Sequence, residues 1–180
     1  MTPDDARALI ERGVPAAGGT WADLGAGTGT FTVALAGLVG RSGTIYAVER
    51  DQGALPTLRS VASSSAPHHA SIEVVDADFT RDLDLPLLAG ILAANALHFV
   101  PRDSQAALLT RLAGLLDANG RMILVEYDRE RGNPWVPYPI SRKRLVRLAH
   151  DAGFGKPEFL ASRPSDYGGE LYSAVLVRGA

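Results

Sequence analysis

One ten-residue run constrains this chain more than any other: Ala22-Asp23-Leu24-Gly25-Ala26-Gly27-Thr28-Gly29-Thr30-Phe31. An apolar stretch stops at Asp23, and glycines follow at Gly25, Gly27 and Gly29. Glycine permits a sharp turn and lets the backbone approach another group with no Cβ in the way. The next residues, Phe31-Thr32-Val33-Ala34-Leu35-Ala36, read as a helix. A strand, a glycine turn and a helix N-terminus form the unit that receives nucleotides at the carboxyl end of a parallel strand.

The spacing separates two kinds of nucleotide. The dinucleotide fingerprint G-x-G-x-x-G would put its third glycine at residue 30, where this chain has Thr30. Here the third glycine comes one residue early, and Asp23 stands two positions before the first. A pyrophosphate would be repelled by that carboxylate, whereas an amino group and a sulfonium would be attracted. The run resembles the D-x-G-x-G-x-G motif of the class I S-adenosylmethionine-dependent methyltransferases. A nicotinamide Rossmann domain and a glycine turn without a ligand are the alternatives.

Composition narrows the chemistry. The 180 residues suffice for one domain with a full core, and 46% hydrophobic with 21% charged residues is ordinary for a globular protein. A net charge of −2 argues against a general nucleic-acid binder. No apolar run is long enough to span a membrane, and the acidic start Met1-Thr2-Pro3-Asp4-Asp5 does not read as a signal peptide, so a cytoplasmic location is expected. Cysteine is absent, which excludes disulfides, thiolate metal sites, iron–sulfur clusters and cysteine nucleophiles. Radical use of the cofactor is therefore out, while polar methyl transfer needs no protein nucleophile. No set of acids and histidines has metal-ligand spacing.

Along the chain, apolar strands alternate with helical patterns, which predicts an α/β fold with a parallel sheet. Strands are expected near residues 20–24, 44–49, 72–75, 90–95, 122–127, 158–161 and 171–178. Helices are expected near 3–12, 29–39, 51–63 (capped by Asp51), 103–117 (closed by Asn119-Gly120 as a left-handed cap) and 141–152. Pro134, Pro137 and Pro139 mark an extended loop over 128–140. No internal repeat or long linker divides the chain, so residues 1–180 read as one domain, 1–19 being a short helical extension. The resemblance covers nearly all of it and implies a three-layer Rossmann-like sandwich. The implied strand order is 3-2-1-4-5-7-6, with strand 7 antiparallel.

The cofactor side is the more legible. Asp23, Gly25, Ala26, Gly27 and Gly29 form the turn. Glu49 ends the second strand and can accept both ribose hydroxyls, with Arg50 covering the adenine edge. Within Asp76-Ala77-Asp78-Phe79 the resemblance assigns adenine recognition to Asp78 and Phe79, with Asp76 a second candidate. Asn95 opens the segment Asn95-Ala96-Leu97-His98-Phe99, where the resemblance places the methyl group against the substrate. That segment is similar to the A-L-H stretch of small-molecule and quinone-biosynthesis methyltransferases. It does not match the motif of enzymes methylating adenine or amide nitrogen. Ala89 stands where the family often has an acid before this strand.

The acceptor side rests on fewer residues. His98 can take a proton from a hydroxyl or amine, or can simply pack. Phe99, Tyr127, Trp135 and Tyr138 can wall a pocket. Arg142-Lys143-Arg144 sits in the first turn of the last helix, where cations oppose the helix dipole; they serve an anionic substrate or a solvated face. In-line methyl transfer mainly needs alignment and exclusion of water. The expected partner is a small-molecule methyl acceptor, the expected cofactor S-adenosyl-L-methionine, and the expected state a monomer or homodimer. A non-catalytic S-adenosylmethionine-binding protein and an NAD-dependent oxidoreductase are the competing functions.

Overall fold

A computed structural model describes residues 1–15, 17–165 and 168–178. In chain order its elements are α1 (Pro3–Ile10), β1 (Gly19–Leu24), α2 (Thr30–Val39), β2 (Gly43–Glu49), α3 (Leu55–Ser63), β3 (Ser71–Asp76) and β4 (Leu88–Ala94). Then follow α4 (Arg102–Ala113), β5 (Leu116–Asp128), α5 (Arg142–Asp151), β6 (Glu158–Pro164) and β7 (Glu170–Val177). Short 3₁₀ turns occupy Glu11–Gly13 and Leu97–Phe99.

The seven strands form one sheet in the order β3-β2-β1-β4-β5-β7-β6. β1 to β5 pair in parallel, and β7 runs antiparallel to both β5 and β6. This is the class I methyltransferase sheet. The apolar alternation of the central strands explains its two covered faces. Ile91, Ala93, Met122 and Leu124 point to one face, under Leu108, Leu109 and Leu112 of α4 and Leu145 and Leu148 of α5. Leu92, Ala94, Ile123 and Val125 point to the other, under Leu9 and Ile10 of α1 and Phe31 and Leu35 of α2. Each such large side chain contributes about 1.5–3 kcal/mol when removed from water.

Local chemistry sets the helix starts. At α1 the Thr2 hydroxyl accepts from the Asp5 N–H and the Asp5 carboxylate accepts from the Thr2 N–H, a reciprocal cap with Pro3 in the first turn. Asp51 does not cap α3 directly. It accepts from the Gly53 N–H in a preceding turn, and the helix begins at Leu55, beside Pro56. Proline is favoured in a first helical turn, so Pro56 starts this helix rather than interrupting it. Asn119-Gly120 does not close α4 either. That helix ends at Ala113, and Asn119 and Gly120 lie inside β5. There the register against β4 jumps between Leu88↔Leu116 and Gly90↔Arg121. The Asn-Gly pair thus belongs to a bulge-like irregularity, a use of turn residues that composition does not distinguish from a cap.

Gly90 shows how tightly the sheet face is packed. A Cβ there would lie 2.2 Å from the Trp21 ring, which is itself 2% exposed. Gly90→Ala should therefore destabilise the protein by about 2–3 kcal/mol through overpacking. A lowered urea midpoint at unchanged slope checks this, and an unchanged midpoint would mean that Trp21 moves aside freely.

Candidate functional site

Because β1 to β5 run parallel, their carboxyl ends share one edge of the sheet. Gly25, Gly27 and Gly29 follow β1 there with φ of 72°, 57° and 93°. This left-handed conformation is disfavoured for side chains with a Cβ. At Gly25 a Cβ would lie 2.9 Å from the Ala96 Cβ, so the turn also packs directly against the end of β4. At Gly27 it would meet no protein atom within 4 Å. Gly27 faces open space: a cavity of about 740 Å³ lined by Gly25, Ala26, Gly27, Glu49, Arg50, Phe79 and Asn95 among others.

Glu49 fastens this turn. One of its carboxylate oxygens accepts from the Gly27 N–H at 2.7 Å, and the other from the N–H groups of Arg50 and Asp51, both at 2.8 Å. Arg50 reaches across to Asp78 at 2.8 Å. The second Asp78 oxygen accepts from the Thr80 N–H and hydroxyl. Burial raises the Asp78 carboxyl, but those Thr80 bonds and the Arg50 ion pair outweigh it and hold the group below the ordinary aspartate range. Neither Asp76 nor Asp78 is among the cavity-lining residues, whereas Phe79, Thr80 and Arg81 are. Asp76 instead accepts from Gln52.

Asp23 lies beneath the turn rather than on the cavity wall. It is 1% exposed and accepts from the Thr32 hydroxyl at 2.6 Å. Burial pushes its carboxyl up to about 7; the Thr32 bond opposes this and the Glu49 charge adds to it. A raised folded-state pKa favours the neutral acid. Its stabilisation is fully present below the ordinary value of 3.8 and is lost as pH rises through about 7. Asp23→Asn keeps an acceptor for Thr32 and removes the titration. The ligand-free variant should therefore gain stability relative to the wild type between pH 5 and pH 8, by a few kcal/mol (about 1.4 per pKa unit). Melting curves at both pH values check this, and a constant difference between the proteins would mean that Asp23 does not titrate there.

A second cavity, of about 410 Å³, adjoins the first and is lined by His98, Tyr127, Trp135, Arg163 and Leu171. Asn95 and Phe99 line both. Asn95 follows β4 with φ of 54°, the left-handed region, and its N–H donates to the Val125 carbonyl. Its side-chain oxygen is buried and has no hydrogen-bond partner. A buried acceptor without a partner is costly, and it marks a place where a ligand donor fits.

His98 is 2% exposed and its Nδ1 lies 2.9 Å from the Glu126 carboxylate. The other Glu126 oxygen accepts from the Leu97 and His98 N–H groups. Glu126 is fully buried on β5. Its one signal in the sequence is an acid directly after the apolar run Met122-Ile123-Leu124-Val125. Tyr127 stands edge-on to the His98 ring, with centroids 5.2 Å apart. Tyr138 lines neither cavity; its N–H donates to the His98 carbonyl and its carbonyl accepts from Gln105. Arg142 and Arg144 do not form an anion patch. Arg142 pairs with Asp128 and Glu170, and Arg144 bonds Gln105 and the Arg102 carbonyl, tying α5 to its neighbours. Among the described residues no cluster of His, Asp and Glu could hold a metal, and no helix is long and apolar enough to cross a membrane.

No curated protein matches this sequence. Several solved structures share its fold. The 1,6-didemethyltoxoflavin-N1-methyltransferase of Burkholderia thailandensis, solved with 1,6-didemethyltoxoflavin and S-adenosylhomocysteine, superposes with a TM-score of 0.76 at 18% identity over 99% of this chain and 78% of that one. The CcbJ methyltransferase of Streptomyces caelestis gives 0.76 at 19% identity, over 99% of this chain and 90% of that one. The magnesium protoporphyrin IX methyltransferase of Synechocystis, solved with S-adenosylmethionine, gives 0.72 at 17% identity, over 98% and 78%. At these identities the likeness is one of fold. A family model described as a methyltransferase domain matches residues 22–120, which hold the glycine turn, Glu49, Asn95 and His98. With the β3-β2-β1-β4-β5-β7-β6 sheet in place, the chain belongs to the methyltransferase-domain family and has its class I fold.

Proposed function

We propose that the chain, as a single domain over residues 1–180, is an S-adenosylmethionine-dependent methyltransferase that acts on a small organic molecule. The observation that carries the reading is the pair of adjoining cavities sharing Asn95 and Phe99. One cavity lies over the glycine turn and the other against His98. The residues fit the cofactor: Gly27 leaves the first cavity open, Glu49 offers a carboxylate at its wall, and the unpartnered Asn95 oxygen can accept from an amino group. When bound, the cofactor's sulfonium supplies an electrophilic methyl carbon.

The chain's own residues do the rest. Glu49 already takes three backbone N–H groups of the roughly four its carboxylate can accept, so a ribose diol gains one direct bond and competes with the Gly27 N–H for the second. Phe79 gives an apolar face for the adenine. Asp78 acts at one remove, by holding Arg50 and Thr80 in place. Asp23 holds the turn from below through Thr32. His98 stands at the acceptor cavity as the candidate general base, and Phe99, Tyr127 and Trp135 wall that cavity beside it.

Turnover tests the reading. Incubation of the protein with S-adenosylmethionine and pooled small aromatic and heteroaromatic acceptors should release S-adenosylhomocysteine at a rate that depends on the acceptor. Binding of S-adenosylmethionine with no release across the pool would favour the non-catalytic alternative.

A further inference from the structure

We infer that the second cavity receives an uncharged planar aromatic hydroxyl compound, and that Glu126 is the positioning residue that keeps His98 able to accept its proton. The inference rests on the methyltransferase reading of the first cavity and adds the acceptor's chemistry to it.

Glu126 settles which nitrogen of His98 is available. A carboxylate 2.9 Å from Nδ1 requires the proton on Nδ1, because a carboxylate only accepts. The lone pair is then on Nε2, and His98 lines the cavity. Glu126 cannot swing away. Its second oxygen is fixed by the Leu97 and His98 N–H groups at 3.0 and 3.1 Å, and the side chain is fully buried. A carboxylate held behind an imidazole stabilises the imidazolium that forms on proton uptake. That arrangement is suited to an acceptor that must lose a proton as it reacts.

The walls indicate the shape of that acceptor. Phe99, Tyr127 and Trp135 line the cavity, which suits a flat aromatic ring. Arg163 on the wall is already paired with Asp5 at 3.0 Å, so its charge does not call for an anionic acceptor. Glu126 and Tyr127 of β5 touch the His98 ring, and Arg163 of β6 lines the same cavity. In the step itself the acceptor O–H proton passes to His98 Nε2. The oxygen forms a bond to the methyl carbon as the sulfonium–methyl bond breaks, and the sulfonium becomes a neutral thioether. The imidazolium afterwards returns its proton to water.

The test uses the whole protein saturated with S-adenosylhomocysteine, and simple phenols and catechols as probes. Phenol binding should quench Trp135 emission, and Trp135→Phe should abolish that response while buried Trp21 still reports folding. Glu126→Gln turns an N–H₂ toward Nδ1 and forces the opposite tautomer. It should keep S-adenosylhomocysteine affinity within about twofold, keep phenol binding, and lower turnover of phenols of ordinary acidity by about 10²–10⁴. With a nitrocatechol already ionised at neutral pH, binding should weaken equally in both proteins, but the loss of turnover caused by Glu126→Gln should shrink below about tenfold, a pattern that mere loss of packing does not give. If Glu126→Gln does not fold, the wild type decides alone: rates should fall for benzene analogues bearing an amine in place of the hydroxyl. The inference is overturned if S-adenosylhomocysteine binds but phenols neither quench Trp135 nor accept methyl, or if aromatic amines are methylated faster. Failure of S-adenosylhomocysteine to bind at all would instead overturn the methyltransferase reading beneath it.

Discussion

Replacement of His98 by alanine should lower turnover by about 10²–10⁴ while leaving cofactor affinity intact. The imidazole lines the acceptor cavity, and the cofactor cavity does not include it. The variant should also lose about 1–3 kcal/mol of stability. His98 is almost fully buried, and its removal takes one hydrogen bond from Glu126, which keeps the two from the backbone. Turnover must therefore be measured well below the variant's melting temperature. The catalytic loss should shrink at high pH, where the acceptor ionises without help. Parallel pH–rate profiles of similar height for the two proteins would remove His98 from the proton transfer and leave alignment as its only contribution.

Glu49→Ala should weaken S-adenosylhomocysteine binding by about 1.5–3 kcal/mol, the scale of hydrogen bonds to a charged group. The structure adds a second effect. Because Glu49 collects the N–H groups of Gly27, Arg50 and Asp51, the ligand-free variant should also melt lower, as a turn built on left-handed glycines loses its anchor. Glu49→Gln separates the two. It can still accept from Gly27 with its amide oxygen, so it should recover part of the melting temperature and less of the affinity. Calorimetric titration and melting curves of the three proteins check this. Unchanged affinity in Glu49→Ala would place the ribose away from the end of β2.

Much of this could be read from the residues. The turn was legible because glycine at alternate positions answers a backbone demand that few other residues meet, and all three adopt positive φ. The sheet was legible because buried strands such as Ile91-Leu92-Ala93-Ala94 require apolar residues on both faces. The Asn119-Gly120 pair misled because a helix cap and a strand irregularity use the same residues, and only the pairing of β4 with β5 decides between them. Asp78 is a different case. Its motif fits adenine recognition, and the structure adds that its two oxygens also accept from Arg50 and Thr80, partners that no local pattern announces. The His98–Glu126 pair joins residues 28 apart in sequence, on neighbouring strand ends. It could not be read without the strand order, although Glu126, directly after the apolar run Met122-Ile123-Leu124-Val125, hinted that something polar awaited it.

Parallel calorimetric titrations of the unmodified protein with S-adenosylhomocysteine and with NAD decide whether the cavity over the glycine turn takes S-adenosylmethionine or a dinucleotide. S-adenosylhomocysteine should bind one to one with a matching rise in melting temperature, and NAD should give no heat. Binding of NAD with no response to S-adenosylhomocysteine would contradict the methyltransferase reading.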